Sequence, residues 1–213
     1  MFKAVLWDFG GVLTTSPFEA FNRFESENGL PKDFIRGINS INPETNAWAK
    51  FESSEVDVAT FDQLFADESL THGHEVRGQD VLALLSGDVR PEMVKALKII
   101  KSQIPIGCIT NNVKTGKGPG MAGNAEKATA VAEVMALFDV VIESSKLGIR
   151  KPNPEIYKVA CEAMKISPAD AIFLDDLGIN LKPAKALGMT TIKVLDAASA
   201  IEELESHLGL TLK

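Results

Sequence analysis

Four short stretches carry the side chains with most chemistry to offer. They are Asp8 after Ala4-Val5-Leu6-Trp7, Thr110-Asn111 after the apolar run Pro105 to Ile109, Arg150-Lys151 before Pro152, and Asp175-Asp176 after Ala171 to Leu174. Each is expected where a strand ends. Asp8, Asp175 and Asp176 at one sheet edge would repel one another unless a cation or a lysine stood among them. Their oxygen ligands are of the hard kind that Mg²⁺ prefers. Lys151 can supply a further positive charge and orient Asp8. The Thr110 hydroxyl and the Asn111 backbone N–H can contribute to a phosphate cradle, and Gly10 and Gly11 let backbone N–H groups approach an oxyanion closely. An aspartate nucleophile beside a divalent cation is known chemistry for phosphoryl transfer. Taken singly, each stretch reads equally as a strand exit or a solvated turn. Their coincidence in one pattern points to a site.

For these stretches to meet, the strands that carry them must share a sheet. Strands are expected at Ala4–Trp7, Pro105–Thr110, Val140–Glu143, Ala171–Leu174 and Thr190–Val194, separated by helices at Pro91–Ser102, Ala125–Phe138, Pro154–Met164, Lys182–Leu187 and Ala198–His207. Strands alternating with helices give an α/β fold with a doubly wound parallel sheet. Ligands of such sheets sit at the carboxyl edge of the strands. Between the first strand and the rest lies a block with helical periodicity only, read as helices at Pro17–Asn28, Pro31–Ser40, Pro43–Phe51, Val58–Asp67 and Gln79–Ser86. Residues 1–15 and 89–213 are therefore expected to form the core domain. Residues 16–88 are expected as an inserted all-helical cap, in which Trp48, Phe51 and Phe65 could be cap core or pocket wall. The glycine-rich stretch Thr115–Asn124 is expected as a mobile loop. Its Thr115-Gly116-Lys117-Gly118 is no P-loop, because Gly118 stands where that motif needs a hydroxyl.

With 213 residues, 45% hydrophobic and 24% charged, the chain can bury a substantial core. A formal net charge of −7 argues against a nucleic-acid partner or an anionic membrane surface. The N-terminus carries no signal-peptide pattern and no apolar run reaches spanning length, so a cytoplasmic protein is expected. Cys108 lies inside an apolar strand and reads as a small buried hydrophobe, and it forms no metal-type pair with Cys161. His72 and His74 flank Gly73 in a polar loop with no third ligand nearby, which disfavours a metal site there.

Asp8-Phe9-Gly10-Gly11-Val12-Leu13, Thr110-Asn111, Lys151-Pro152-Asn153-Pro154-Glu155-Ile156-Tyr157 and Phe173-Leu174-Asp175-Asp176 occur in the order of the haloacid dehalogenase (HAD) superfamily, and the chain resembles that superfamily. Phe138 to Ser144 and Asp175 to Lys182 are similar to the branch containing the phosphatase domains of soluble epoxide hydrolases. The resemblance implies a Rossmann-like sheet and a Mg²⁺-dependent phosphatase of small phosphorylated molecules. It implies a nucleophilic Asp8, phosphate binding by Gly10, Gly11, Thr110, Asn111 and Lys151, and catalytic roles for Thr110 and Lys151. It also implies metal ligation by Asp8, the Gly10 carbonyl, Asp175 and Asp176, with Asn180 in support.

One position departs from the family pattern. Phosphatases of this superfamily usually carry a second aspartate two residues after the nucleophile, where this chain has Gly10. Losing a general acid costs about 10²–10⁴ in rate, so substrates with good leaving groups are expected to suffer least. Two other readings stand beside the phosphatase: a metal-independent 2-haloacid dehalogenase, which needs no proton donor there, and a partner domain that kept the fold without turnover. Epoxide hydrolysis is not expected, since the chain length leaves no room for that second domain.

Overall fold

The computed structural model describes residues 2–112 and 125–212, so the Thr115–Asn124 loop lies outside the described residues. Strands β1 (Ala4–Trp7), β2 (Ile106–Thr110), β3 (Val140–Glu143), β4 (Ala171–Asp175) and β5 (Thr190–Lys193) form one parallel sheet in the order β3-β2-β1-β4-β5. The central strands β1, β2 and β4 are buried at every residue because helices cover both faces, and they are apolar up to Thr110 and Asp175 at the ends of β2 and β4. Val5 and Trp7 of β1, Ile106 and Cys108 of β2, and Ile172 and Leu174 of β4 pack with helices α6 (Pro91–Lys101), α7 (Ala125–Met135) and α11 (Ala197–Leu208). The alternate residues Leu6, Ile109 and Phe173 pack with α9 (Pro154–Met164) and α10 (Gly178–Ala186). The expected α/β class and strand positions hold. The chain leaves β1 toward one edge of the sheet and returns to the other side of it at β4, so the strand order reverses beside Asp8.

The helical block comprises α1 (Pro17–Glu27), α2 (Phe34–Ser40), α3 (Ala47–Glu52), α4 (Val58–Thr71) and α5 (Gly78–Ala83), around a core of its own that includes Phe21, Ile35, Phe51, Phe61 and Phe65. The Phe51 and Phe61 rings stack with centroids 4.4 Å apart. Phe51 and Phe65 therefore belong to this core, and Trp48 packs half-buried against it. Two short helices here, α2 and α5, start without a side-chain N-cap of their own, and a neighbour supplies one. Glu25 accepts from the Asp33 and Ile35 N–H groups, and Asp62 accepts from Gln79 N–H at 2.9 Å. Two segments join this block to the sheet. They meet at a Thr14–Val89 bridge, with Thr15 N–H donating to Asp88 O and Arg90 N–H to Leu13 O, each at 2.8 Å.

Several expected helix bounds are corrected. Residues 31–33 and 43–46 are turns, with Asp33 at a left-handed φ of 60°. Helix α4 runs on to Thr71 because Phe61, Phe65 and Ser69 continue one buried face, and Ser69 Oγ accepts from Val76 N–H at 2.9 Å. Helix α5 stops at Ala83, short of the expected Ser86. The chain must then turn into the joining segment, where a Cβ on Gly87 would lie 2.6 Å from Thr15 O. Helix α10 begins at Gly178, four residues before the expected Lys182, and a further short helix, α8 (Ser144–Leu147), follows β3 directly.

Candidate active site

Asp8 follows β1 and Asp175 ends β4, the two neighbouring strands at the reversal point. The Asp8 N–H donates to Leu174 O at 2.8 Å, which fixes the end of β1 against β4. Between the two carboxylates stands the Lys151 ammonium, 2.8 Å from Asp8 Oδ1 and 2.7 Å from Asp175 Oδ2. Only 1% of the lysine side chain is exposed. The Phe9 N–H donates to Asp8 Oδ1 at 2.7 Å, and among the described residues no donor engages Oδ2. Asp175 is held from the other side: Leu177 N–H donates to its Oδ1 at 2.8 Å, and the Asn180 amide spans both oxygens at 3.0 and 3.1 Å. The Tyr157 hydroxyl on α9 donates to Asn180 O at 2.7 Å.

Asp176 completes the cluster, in which one oxygen each of Asp8, Asp175 and Asp176 lie within 4.8 Å of one another. Gly11 makes room for it. This glycine has a φ of +75°, and an added Cβ would run into the Asp176 carboxylate. Gly10, by contrast, is exposed, and an added Cβ would meet nothing within 4 Å.

The electrostatics follow from three acids facing one lysine. Burial pushes the Asp8 carboxyl well above its usual range; Lys151 opposes this, while Asp175 and Asp176 add to it. Burial and then Asp175 push Asp176 up to about 6. Burial alone would favour neutral Lys151, but Asp175 and Asp8 outweigh it and hold the ammonium charged. The site thus has a surplus of negative charge and an all-oxygen donor set. That is the chemistry of a hard divalent cation such as Mg²⁺.

A family model for haloacid dehalogenase-like hydrolases matches residues 2–188. The chain belongs to that family. As a HAD-like hydrolase it is 33% identical to acyl-CoA dehydrogenase family member 10 of Mus musculus and 30% identical to bifunctional epoxide hydrolase 2 of Sus scrofa, each over 99% of this chain. It spans only 20% and 39% of those proteins' lengths. Over 98% of this chain and 95% of the relative, the hydrolase is 27% identical to validoxylamine A 7′-phosphate phosphatase of Streptomyces hygroscopicus subsp. limoneus. Its fold matches a HAD family enzyme of Bacteroides thetaiotaomicron solved with magnesium and inorganic phosphate, at 21% identity and a TM-score of 0.59, covering 91% of this chain and 94% of that one. It also matches L-2-haloacid dehalogenase of Xanthobacter autotrophicus, at 18% identity and a TM-score of 0.62, covering 100% and 85%.

Of the residues singled out in the sequence of this hydrolase, Asp8, Lys151, Asp175 and Asp176 are in contact or within ligand distance of one another. Thr110 ends β2 and is buried. The Asn111 side chain grips Lys151: its Oδ1 accepts from Lys151 N–H at 2.8 Å and its Nδ2 donates to Lys151 O at 3.0 Å. Arg150 and Lys151 do not stand at a strand end as expected. Helix α8 intervenes after β3, so the pair sits in the turn before α9, and the cis Lys151–Pro152 bond lies there too. Nor is Arg150 a solvated turn residue, because it pairs with Glu52 of α3 at 2.7 Å. His74 packs edge-on against Phe34, away from any acid cluster among the described residues. Cys108 and Cys161 are free and buried. Glu52, Asn112 and Ser144 were not legible as site neighbours. They are polar residues on unrelated elements, and only the tertiary fold joins them, Ser144 Oγ donating to Glu52 O and accepting from Asn112 N–H.

Proposed function

We propose that this hydrolase is a phosphatase of small phosphorylated molecules that works through an aspartyl-phosphate on Asp8. The observation that carries this reading is the Asp8–Asp175–Asp176 cluster built around a buried Lys151 ammonium. An oxygen of Asp8 forms a bond to phosphorus while the bond from phosphorus to the leaving-group oxygen breaks, and that oxygen keeps the electron pair. Water then attacks the phosphorus of the aspartyl-phosphate, which releases inorganic phosphate and restores the Asp8 carboxylate. Lys151 holds Asp8 Oδ1 so that Oδ2 faces the incoming phosphorus. Thr110, the Asn111 backbone N–H, Gly11 and Lys151 bind the phosphate oxygens. Asp8, the Gly10 carbonyl, Asp175 and Asp176 would hold Mg²⁺, whose charge would offset that of the phosphate during transfer.

The helical block, residues 16–88, acts in this reading as a cap over the carboxyl edge, with the α/β core being residues 1–15 and 89–213. Gly10 cannot donate a proton to the leaving group, so substrates with acidic leaving groups are favoured. Relatives named for phosphate-ester cleavage, the validoxylamine A 7′-phosphate phosphatase and a glyceraldehyde 3-phosphate phosphatase of Methanocaldococcus jannaschii (25% identical), agree with the substrate class. The surplus of carboxylates speaks against a dehalogenase, since uncompensated acids would oppose an anionic haloacid. Turnover of an aryl phosphate by the wild type, with and without Mg²⁺, and by Asp8→Asn tests the assignment. Mg²⁺-dependent turnover that disappears in the variant is expected, and turnover that persists in it would overturn the reading.

A further inference from the structure

Glu52 is the last residue of α3, in the helical block, yet its carboxylate is buried among groups of the α/β layer. Its Oε2 accepts from Arg150 Nη1 at 2.7 Å and lies 3.5 Å from Asn111 Nδ2. Those two donors have a second acceptor in common. Asn111 Nδ2 donates to Lys151 O at 3.0 Å, and Arg150 Nη1 reaches the same carbonyl at 3.3 Å. Glu52 is thus bonded to both groups that hold the peptide of the lysine between Asp8 and Asp175. The surrounding contacts seat the end of α3 on this spot: Ser144 Oγ donates to Glu52 O at 3.1 Å, Ser54 Oγ donates to Ser145 O at 3.2 Å, and Arg150 also donates to Pro43 O.

We propose that Glu52 is a positioning residue. Through Arg150 and Asn111 it fixes the main chain at Lys151, and so makes the placement of the Lys151 ammonium on Asp8 depend on α3 being seated. The physical basis is that each donor is shared between two acceptors. Without the Glu52 carboxylate, the Arg150 guanidinium loses its charged partner and the Asn111 amide loses one of two restraints on its orientation. The lysine backbone is then held by donors that are themselves free to move. Small displacements of a group that must meet a reacting atom are costly in rate.

The inference rests on the phosphatase reading, and one set of proteins separates the two. Glu52→Gln, Arg150→Met and the double variant are compared with the wild type in Mg²⁺-dependent aryl phosphate turnover. All are assayed well below the melting onset of the least stable one, with folding checked by circular dichroism. A merely structural ion pair predicts that each single variant loses stability by leaving a buried charge unpaired, and that the double variant regains stability and rate together. The positioning role predicts kcat lower by about 10- to 100-fold in all three, KM within about twofold, and no recovery of kcat in the double variant. Wild-type kcat in a folded single variant, or kcat recovering in the double variant, would overturn the proposal. A wild type without turnover would instead overturn the phosphatase reading, and this inference with it.

Discussion

Lys151 Nζ lies 2.8 Å from Asp8 Oδ1 and nearly out of reach of water. A lysine so placed cannot be replaced without leaving Asp8 and Asp175 buried face to face. Lys151→Met is therefore expected to abolish turnover and to lower metal-free stability by about 3–5 kcal/mol, the usual penalty for breaking a buried pair. Mg²⁺ should restore part of that loss, because it supplies the missing positive charge. Urea unfolding with and without Mg²⁺ measures both effects.

Asp176 predicts the direction of a pH effect. Its carboxyl is raised from 3.8 to about 6, so between these values the folded, metal-free protein holds a proton that the unfolded chain has released. The folded state then binds more protons, and stability from this group falls as pH rises from about 4 to 6. Mg²⁺ must displace that proton. Its affinity is expected to rise from pH 5 to about pH 7 as this group loses its proton, with protons released on binding. Calorimetric titration in buffers of different ionisation enthalpy detects the release.

The two glycines after Asp8 predict opposite outcomes. Gly10 has open space where a side chain would go, and its φ is ordinary. Gly10→Asp should fold normally and raise turnover of alkyl phosphates more than aryl ones, since a proton donor matters most for a poor leaving group. Equal rate ratios before and after would count against that role. Gly11 sits at φ +75° against Asp176. Gly11→Ala should cost about 1–3 kcal/mol of stability from backbone strain, and should weaken Mg²⁺ binding by displacing Asp176.

The sequence made the sheet legible because the three central strands are apolar on both faces, and their ends coincide with acids and a hydroxyl. The grip of Asn111 on Lys151 was not legible. The two residues are far apart in the chain, and an asparagine after a strand is an ordinary turn residue. Helix α10 starts at Gly178, ahead of the expected Lys182, and carries Pro183 in its interior. Proline favours a first turn, yet here it stands inside the helix and leaves the Ile179 carbonyl without its usual donor. Glu52 escaped notice for another reason. It is one acid among many on a short helix, and its partner Arg150 is remote in sequence, so nothing local distinguishes it.

The most direct test of the account is to trap the intermediate. The wild type, quenched during Mg²⁺-dependent turnover of an aryl phosphate, is reduced with borohydride, which converts an aspartyl-phosphate to homoserine, and the modified residue is located by peptide mass spectrometry. Homoserine is expected at position 8, and none in protein quenched without substrate. An unmodified Asp8 under turnover, with the label at another residue, would contradict it.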